Sequence, residues 1–219
     1  MKSLQSRRSF LIAAAAASIA PCIPSCAQEP TPASPEEALR RLMEGNRRFA
    51  SDQYTSIPKD LKVLKEHTVD KQEPFAAVLS CADSRVPVEL VFDQTIGHIF
   101  VSRVAGNVIN SEIIGSLEYG AAVLGIKVLL VMGHSNCGAV SAAIAKKSVP
   151  GQIASLYPHL QAAVEAGGGD VTASIKKNAQ IQASLLSETS TVLRPLVREG
   201  QLKIEAAYYD VGTGQVTLL

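Results

Sequence analysis

The sequence contains no tryptophan, and aromatic residues make up only 5% of its 219 positions. It also lacks a surplus of charge of either sign, since 21 lysines and arginines stand against 20 aspartates and glutamates. The missing basic surplus argues against a nucleic-acid-binding protein, because such proteins neutralise phosphates with clustered cations. Apolar residues are plentiful at 47%, which is enough to build the core of one domain and is not typical of a disordered chain.

The N-terminal apolar run covers only 10–20, which is too short for the about 20 residues that a membrane-spanning helix needs. It follows the basic residues Lys2, Arg7 and Arg8 and is followed by small residues up to Ala27. This order is typical of an export signal, and the arginine pair resembles a twin-arginine signal. An N-terminal anchor helix is the alternative interpretation.

The chain therefore divides into three predicted parts: an export signal peptide at 1–27, a proline-rich linker at 28–34 and a folded domain at 35–219. The predicted location of the mature protein is periplasmic or otherwise extracytoplasmic, with no stable membrane span. Lipid attachment at Cys26 is a second, weaker alternative to cleavage after Ala27.

Cysteine is scarce, with four in the chain, and Cys22 and Cys26 would leave with the signal peptide. The remaining two, Cys81 and Cys137, lie 56 positions apart. Two cysteines in an exported protein can form a disulfide, or they can share a metal ion. Their spacing does not decide between a disulfide and a shared metal ion. The residues that flank them can decide between the two.

Short apolar runs alternate with longer helical patterns along the domain. The predicted strands cover 75–80, 99–101, 128–132 and 202–209, the last of them less apolar and nearer an edge. The predicted helices cover 35–49, 111–124, 139–145, 152–166 and 171–197. This alternation predicts an α/β fold with a mostly parallel central sheet flanked by helices and an N-terminal helical arm. Sites in such folds lie beyond the carboxyl ends of the strands.

Two of these predicted strand ends carry residues typical of a catalytic zinc site. Cys81 follows the first strand, and His134 and Cys137 follow the third, so that two thiolates and an imidazole can meet. Asp83 and Arg85 add a carboxylate and a guanidinium, which a disulfide or a structural zinc site does not need. The remaining histidines (His67, His98 and His159) have no cysteine at a metal-pair spacing and are interpreted as surface or structural residues.

At this point the sequence resembles the β-class carbonic anhydrases of bacteria. The segments that carry the resemblance are EGNRRF at 44–49, CADSRVP at 81–87, FDQ at 92–94, RVAGN at 103–107, GSLEY at 115–119, GHSNCGA at 133–139 and AYYD at 207–210. They are spread from 44 to 210, so the match runs through most of the mature chain. The paired C-x-D-x-R and H-x-x-C motifs are highly specific when they occur together.

The resemblance implies one zinc ion per chain, bound by Cys81, His134 and Cys137, with Asp83 and Arg85 as the catalytic pair. It implies a substrate pocket formed by Gln72, Phe100, Tyr119 and Gly138, in which the glutamine reaches across a dimer interface. It further implies a homodimer or a dimer of dimers, a sheet extended by the partner, and an N-terminal helix that wraps the neighbouring subunit.

Some members of this family close the site with the aspartate as a fourth zinc ligand, a role open to Asp83. Those with a regulatory bicarbonate pocket commonly carry tryptophan three residues before the first cysteine, where this sequence has Val78. We therefore expect an open site without bicarbonate regulation.

The predicted function is the reversible hydration of carbon dioxide to bicarbonate and a proton, by attack of zinc-bound hydroxide. One alternative is a related zinc hydrolase that acts on carbon disulfide or carbonyl sulfide. A second alternative is a non-catalytic module in which zinc only stabilises the fold.

Overall fold

The structure, a computed structural model, describes residues 31–56 and 68–219. The predicted signal peptide, Cys22, Cys26 and His67 lie outside these residues, as do the first three linker positions. In the described part of the chain no helix is long and apolar enough to cross a membrane.

One sheet organises the described residues. Its strands are β1 (Ala76–Ser80), β2 (Ile99–Arg103), β3 (Val128–His134), β4 (Lys203–Tyr209) and β5 (Val216–Leu218), in the spatial order β2-β1-β3-β4-β5. The first four strands are parallel, and β5 pairs antiparallel with β4 at one edge. The predicted α/β class with a mostly parallel sheet is therefore confirmed.

Helices cover both faces of the sheet. They are α1 (Pro35–Ala50), α2 (Val88–Val91), α3 (Ser111–Ala122), α4 (Gly138–Ile144), α5 (Tyr157–Ala166), α6 (Val171–Thr189) and α7 (Leu193–Arg198), with 3-10 helices at Ala105–Asn107 and Gly151–Leu156.

The central strands β1 and β3 are buried along their whole length. Because side chains alternate along a strand, Val78 and Leu130 pack towards α1, whereas Leu79 and Val131 pack towards α3 and α6. This burial on both faces is the reason why the strands read as continuous apolar runs.

The helix α1 packs on its own chain. Ser34 caps it by accepting a hydrogen bond from the Glu37 amide, as its sequence predicts, and Leu42 lies in the core. Gly45 sits so close to Phe92, the residue after α2, that an added Cβ would clash with the Phe92 carbonyl oxygen. The apolar face of α1 thus packs on the domain of its own chain.

Two predicted helices are interrupted. The predicted helix 171–197 breaks at Ser190, whose backbone is extended and whose hydroxyl accepts hydrogen bonds from the Val192 and Leu193 amides to start α7. The predicted helix 152–166 begins as a 3-10 helix, and the α-helix starts only at Tyr157. Pro158 has no N–H to continue an α-helix from the preceding turn and therefore suits a first turn.

The sequence interpretation missed two short elements, α2 and β5. They contain four and three residues, too few to show a helical or an alternating period.

Candidate metal centre

Three potential ligands meet beyond the carboxyl ends of β1 and β3. Cys81 follows β1 directly, His134 ends β3, and Cys137 immediately precedes α4. Their ligand atoms all lie within 4.8 Å of one another, and the two sulfur atoms are 4.0 Å apart. All three side chains are buried, with exposed fractions of 4%, 0% and 1%. The adjacency of β1 and β3 in the sheet explains how residues 56 positions apart converge.

The His134 ring presents one free nitrogen to this cluster. Its Nδ1 lies 3.0 Å from the Ser135 carbonyl oxygen, to which a proton on Nδ1 can donate. Its Nε2 is buried and has no hydrogen-bond partner among the described residues. A buried polar atom without a partner is costly, whereas a neutral imidazole fixed in this tautomer is a metal ligand.

The two cysteines are free thiols rather than a disulfide, since their 4.0 Å separation is far longer than the about 2.05 Å of a sulfur–sulfur bond. The hydrogen bond with Cys137 lowers the pKa of Cys81 to about 4. The same bond and burial raise the pKa of Cys137, so that one proton is held between two sulfur atoms. A cation at this position would displace that proton and leave two thiolates. Two sulfurs and one imidazole nitrogen suit zinc and leave a fourth position open.

Asp83 and Arg85 form an ion pair beside the cluster. Arg85 donates from Nε to Oδ1 at 2.9 Å and from Nη2 to Oδ2 at 2.8 Å, which is a planar two-bond contact. The Arg85 hydrogen bonds hold the pKa of Asp83 well below its usual range, against a smaller opposing effect of burial. Asp83 Oδ2 lies 3.8 Å from His134 Nε2, so the ionised carboxylate adjoins the three ligands.

Arg103 fixes the loop that carries these groups. It donates from Nε to the Cys81 carbonyl oxygen at 3.0 Å and from Nη2 to the Asp83 carbonyl oxygen at 2.6 Å. The sequence interpretation gave Arg103 no role, although it begins the RVAGN segment of the family resemblance. An arginine that ends a strand next to β1 is the signal that could have indicated this contact.

The four predicted pocket residues are placed in different ways. Phe100 on β2 and Tyr119 on α3 contact each other with ring centroids 6.3 Å apart. Gly138 begins α4 directly after Cys137, and an added Cβ would have no atom within 4 Å apart from those of its chain neighbours and the backbone of its own helix. Gln72 is exposed and precedes β1 at the amino edge of the sheet, whereas the metal cluster lies beyond the carboxyl edge. The structure therefore does not bring Gln72 to the cluster of its own chain.

A second carboxylate, that of Asp93, is buried and ties the segment after α1 to the end of α2. It accepts hydrogen bonds from Arg48 Nε at 2.6 Å, Ser56 Oγ at 2.7 Å and the Thr55 amide at 3.0 Å. Burial alone would raise the pKa of Asp93, but the hydrogen bonds outweigh it and hold that pKa well below its usual value. Because α2 follows the loop that carries Cys81, Asp93 also anchors one end of the site.

We expect Asp93→Asn to lower the free energy of unfolding by about 3 kcal/mol at pH 7. The substitution removes the negative charge of a buried hydrogen-bonded ion pair and leaves Arg48 without its counter-charge. The folded-state pKa of Asp93 is lowered, so its stabilising effect is present above the unfolded value of about 4 and is lost as the pH falls towards the folded value. The deficit of the variant should therefore shrink below about pH 4. Urea unfolding between pH 3 and 8 measures it.

The control is Asp52→Asn in the neighbouring exposed turn, which should change the unfolding free energy by less than about 0.5 kcal/mol. A deficit of Asp93→Asn that stays constant from pH 3 to 8 would show that the carboxylate charge is not what stabilises this contact.

Comparison with known proteins places the chain in one family. The family model "Carbonic anhydrase" matches residues 76–216. The chain is 31% identical over 193 residues to carbonic anhydrase 2 of Mycobacterium tuberculosis, covering 84% of this chain and 93% of the relative.

Solved structures agree with this match. The β-carbonic anhydrase of Coccomyxa, solved in complex with acetazolamide, superposes with a TM-score of 0.63 at 26% identity, covering 83% of this chain and 86% of the other. A tetrameric β-carbonic anhydrase of Sordaria macrospora gives a TM-score of 0.66 at 20% identity, covering 73% and 90%, and supports the fold. With the C-x-D-x-R and H-x-x-C motifs brought together beyond the carboxyl ends of β1 and β3, the chain belongs to the carbonic anhydrase family and has the fold of its β class.

Proposed function

We propose that this protein catalyses the reversible hydration of carbon dioxide to bicarbonate and a proton, with one zinc ion held by Cys81, His134 and Cys137. The observation that carries the proposal is the buried cluster of these three ligands with the ionised Asp83 3.8 Å from the His134 nitrogen. A structural zinc site is usually closed by four protein ligands, and the three-residue cluster supplies only three.

The metal and the chain contribute different parts of this chemistry. Zinc, when bound, lowers the pKa of a coordinated water towards neutrality and so supplies a nucleophile. Asp83 would accept a hydrogen bond from that water and so orient its lone pair towards the carbon atom of the substrate. Arg85 keeps the carboxylate ionised and holds both of its oxygens through two parallel hydrogen bonds.

The same contact supports an open site, because Arg85 competes with any move of Asp83 into the fourth ligand position. A structure determined at low pH with Asp83 bound to the metal would contradict this part of the proposal.

Phe100 and Tyr119 would form an apolar wall for a nonpolar gas, and Gly138 would leave space at the floor of the site. Gln72 would orient one oxygen of the substrate from a second subunit, since its own chain places it at the other edge of the sheet. We therefore propose a homodimer, or a dimer of dimers, as the active form. Its partners would be the small-molecule substrate and further copies of the chain.

Residues 1–27 are proposed to be a twin-arginine export signal, which would place residues 35–219 as a mature domain outside the cytoplasm. A pathway that carries folded proteins would suit an enzyme that acquires its metal before export. Fractionation of cells that express the protein, with Arg7→Lys and Arg8→Lys changed together, would test the signal. Retention of the double variant in the cytoplasm supports it, and unchanged export overturns it.

We expect hydration to accelerate towards alkaline pH. Two thiolates and a neutral imidazole cancel the charge of a zinc ion, whereas three neutral histidines leave it in place. Water coordinated to zinc would therefore be less acidic here than in a three-histidine site. Stopped-flow hydration rates between pH 6 and 9 measure this, and a flat profile over that range would rule out the charge argument.

Stopped-flow kinetics also distinguish between the alternative substrates. Carbon dioxide, carbonyl sulfide and carbon disulfide present the same kind of electrophilic carbon to the site. Fast hydration of carbon dioxide supports the proposal, whereas turnover of the sulfur compounds alone would assign the chain to the alternative hydrolase activity.

A further inference from the structure

The ligand Cys81 receives a hydrogen bond that the mechanism above does not use. The Gly106 amide donates to the Cys81 sulfur at 3.3 Å within the buried core. Gly106 has φ of 77° and the next residue, Asn107, has φ of 43°. Two consecutive residues in this left-handed region are unfavourable in general, so the 3-10 helix that contains them needs support from outside.

That support comes from two side chains of α6, Asn178 and Gln182. Asn178 donates from Nδ2 to the Gly106 carbonyl oxygen at 2.7 Å, and Gln182 accepts from the Ile109 amide at 3.0 Å. Gln182 in turn donates from Nε2 to Asn178 Oδ1 at 3.1 Å. The two side chains, called here the amide pair, hold the turn from both of its ends.

Burying the two amide side chains costs free energy, and apolar side chains fill the neighbouring positions on this face of α6. Both side chains are almost fully buried, with exposed fractions of 0% for Asn178 and 2% for Gln182. The same face of α6 otherwise packs through apolar residues such as Ala179 and Leu186. Buried amides are tolerated only when their hydrogen bonds are satisfied. All four polar atoms of the pair form hydrogen bonds. Gln182 Nε2 forms a second one, to the His159 carbonyl oxygen.

We propose that Asn178 and Gln182 are positioning residues that aim the Gly106 amide at the Cys81 thiolate and thereby set the geometry and donor strength of this metal ligand. The inference rests on the metal-binding role assigned under the proposed function. It concerns residues about 40 positions from the nearest ligand in sequence, on a helix to which the family resemblance assigns no site residue.

The physical effect of the amide is on the sulfur. An N–H group that donates to a thiolate withdraws electron density from it, so the sulfur becomes a stronger donor when the hydrogen bond is lost. Loss of the amide pair would also let the ligand move. Partners of this outer kind typically change metal affinity by about 10–100-fold.

The test uses the full-length protein with Co²⁺ in place of zinc, because charge transfer from thiolate to Co²⁺ gives an absorption band that reports on the sulfur directly. The variants are Asn178→Ala and, as a milder change, Gln182→Met. The matched control is Ser174→Ala, one turn earlier on the same buried face, whose hydroxyl has no hydrogen-bond partner among the described residues. Zinc affinity, by competition with a chelator, and melting temperature are measured on the same samples.

We expect the charge-transfer band to move to longer wavelength in both variants, further in Asn178→Ala, and zinc affinity to fall by about 10-fold or more in that variant. The Ser174→Ala control should keep the wild-type band and affinity. A lower melting temperature with an unchanged band and unchanged affinity would show that the amide pair only stabilises the fold and would overturn the inference. Wild-type protein that binds neither ion would overturn the inference and the proposed function together. Variants that keep the wild-type band and zinc affinity would overturn the inference and leave the proposed function in place.

Discussion

Replacing Arg85 by alanine is expected to leave the metal bound while lowering kcat for carbon dioxide hydration by about 100-fold or more, the range of a positioned proton acceptor. Arg85 supplies no ligand atom to the cluster, so the metal content should stay at that of the wild type. Its loss removes both side-chain hydrogen bonds that hold the Asp83 carboxylate. The pKa of Asp83 then rises, because those bonds are the main cause of its lowering. The carboxylate is also free to move towards the metal.

Two variants sharpen this experiment. Arg85→Lys keeps the positive charge but not the two-bond geometry, so it should recover only part of the rate. Arg194→Ala removes an exposed arginine of α7 and should leave kcat unchanged. Stopped-flow hydration and metal analysis on the same samples measure the outcome. If Arg85→Ala retains substantial activity with its zinc in place, the ion pair does not control the nucleophile.

Replacing Cys137 by serine is expected to abolish metal binding and, with it, hydration. A serine hydroxyl is not ionised at neutral pH and is a poor zinc ligand, and only two ligand atoms of the cluster remain. We expect less than about a tenth of a zinc ion per chain after dialysis, against about one in the wild type. Because a ligand at 100 times its Kd stabilises by about 2.7 kcal/mol, zinc added after removal of the metal with a chelator should raise the melting temperature of the wild type by roughly 5–10 °C and that of Cys137→Ser hardly at all.

The matched control is Ser141→Ala in the next turn of α4. Its hydroxyl donates to the Cys137 carbonyl oxygen at 3.0 Å, so the change touches the same backbone without removing a ligand atom. The control should keep its zinc and its activity. A Cys137→Ser protein that still binds one zinc ion tightly would show that the metal is held elsewhere.

The cluster of potential metal ligands and the sheet could be predicted from the sequence for different reasons. Cys81, His134 and Cys137 carry side chains of narrow chemical use at the ends of two apolar runs, and parallel strands bring such ends to one edge. The strands themselves were recognisable because β1 and β3 are buried on both faces.

Helix boundaries were less predictable, because local capping decided them. A single hydroxyl, that of Ser190, ends one helix and starts the next. The pattern of apolar residues continues through this break, so periodicity alone favours one long helix.

The supporting hydrogen bonds could not be predicted at all. Arg103 and Asp93 act through backbone atoms and buried polar partners that lie far away in the chain. Asn178 and Gln182 leave only a faint signal, two amides four positions apart on a helix, each followed by an alanine. Such a pair can equally face solvent until the packing of the helix is known.

The most direct test of zinc-dependent hydration combines metal analysis with stopped-flow carbon dioxide hydration of the purified wild-type protein at several pH values. We expect about one zinc ion per chain, bound by Cys81, His134 and Cys137, and fast hydration that increases from pH 6 to 9. Protein that carries its full zinc and does not hydrate carbon dioxide at any of these pH values, or that binds no zinc, would contradict this expectation.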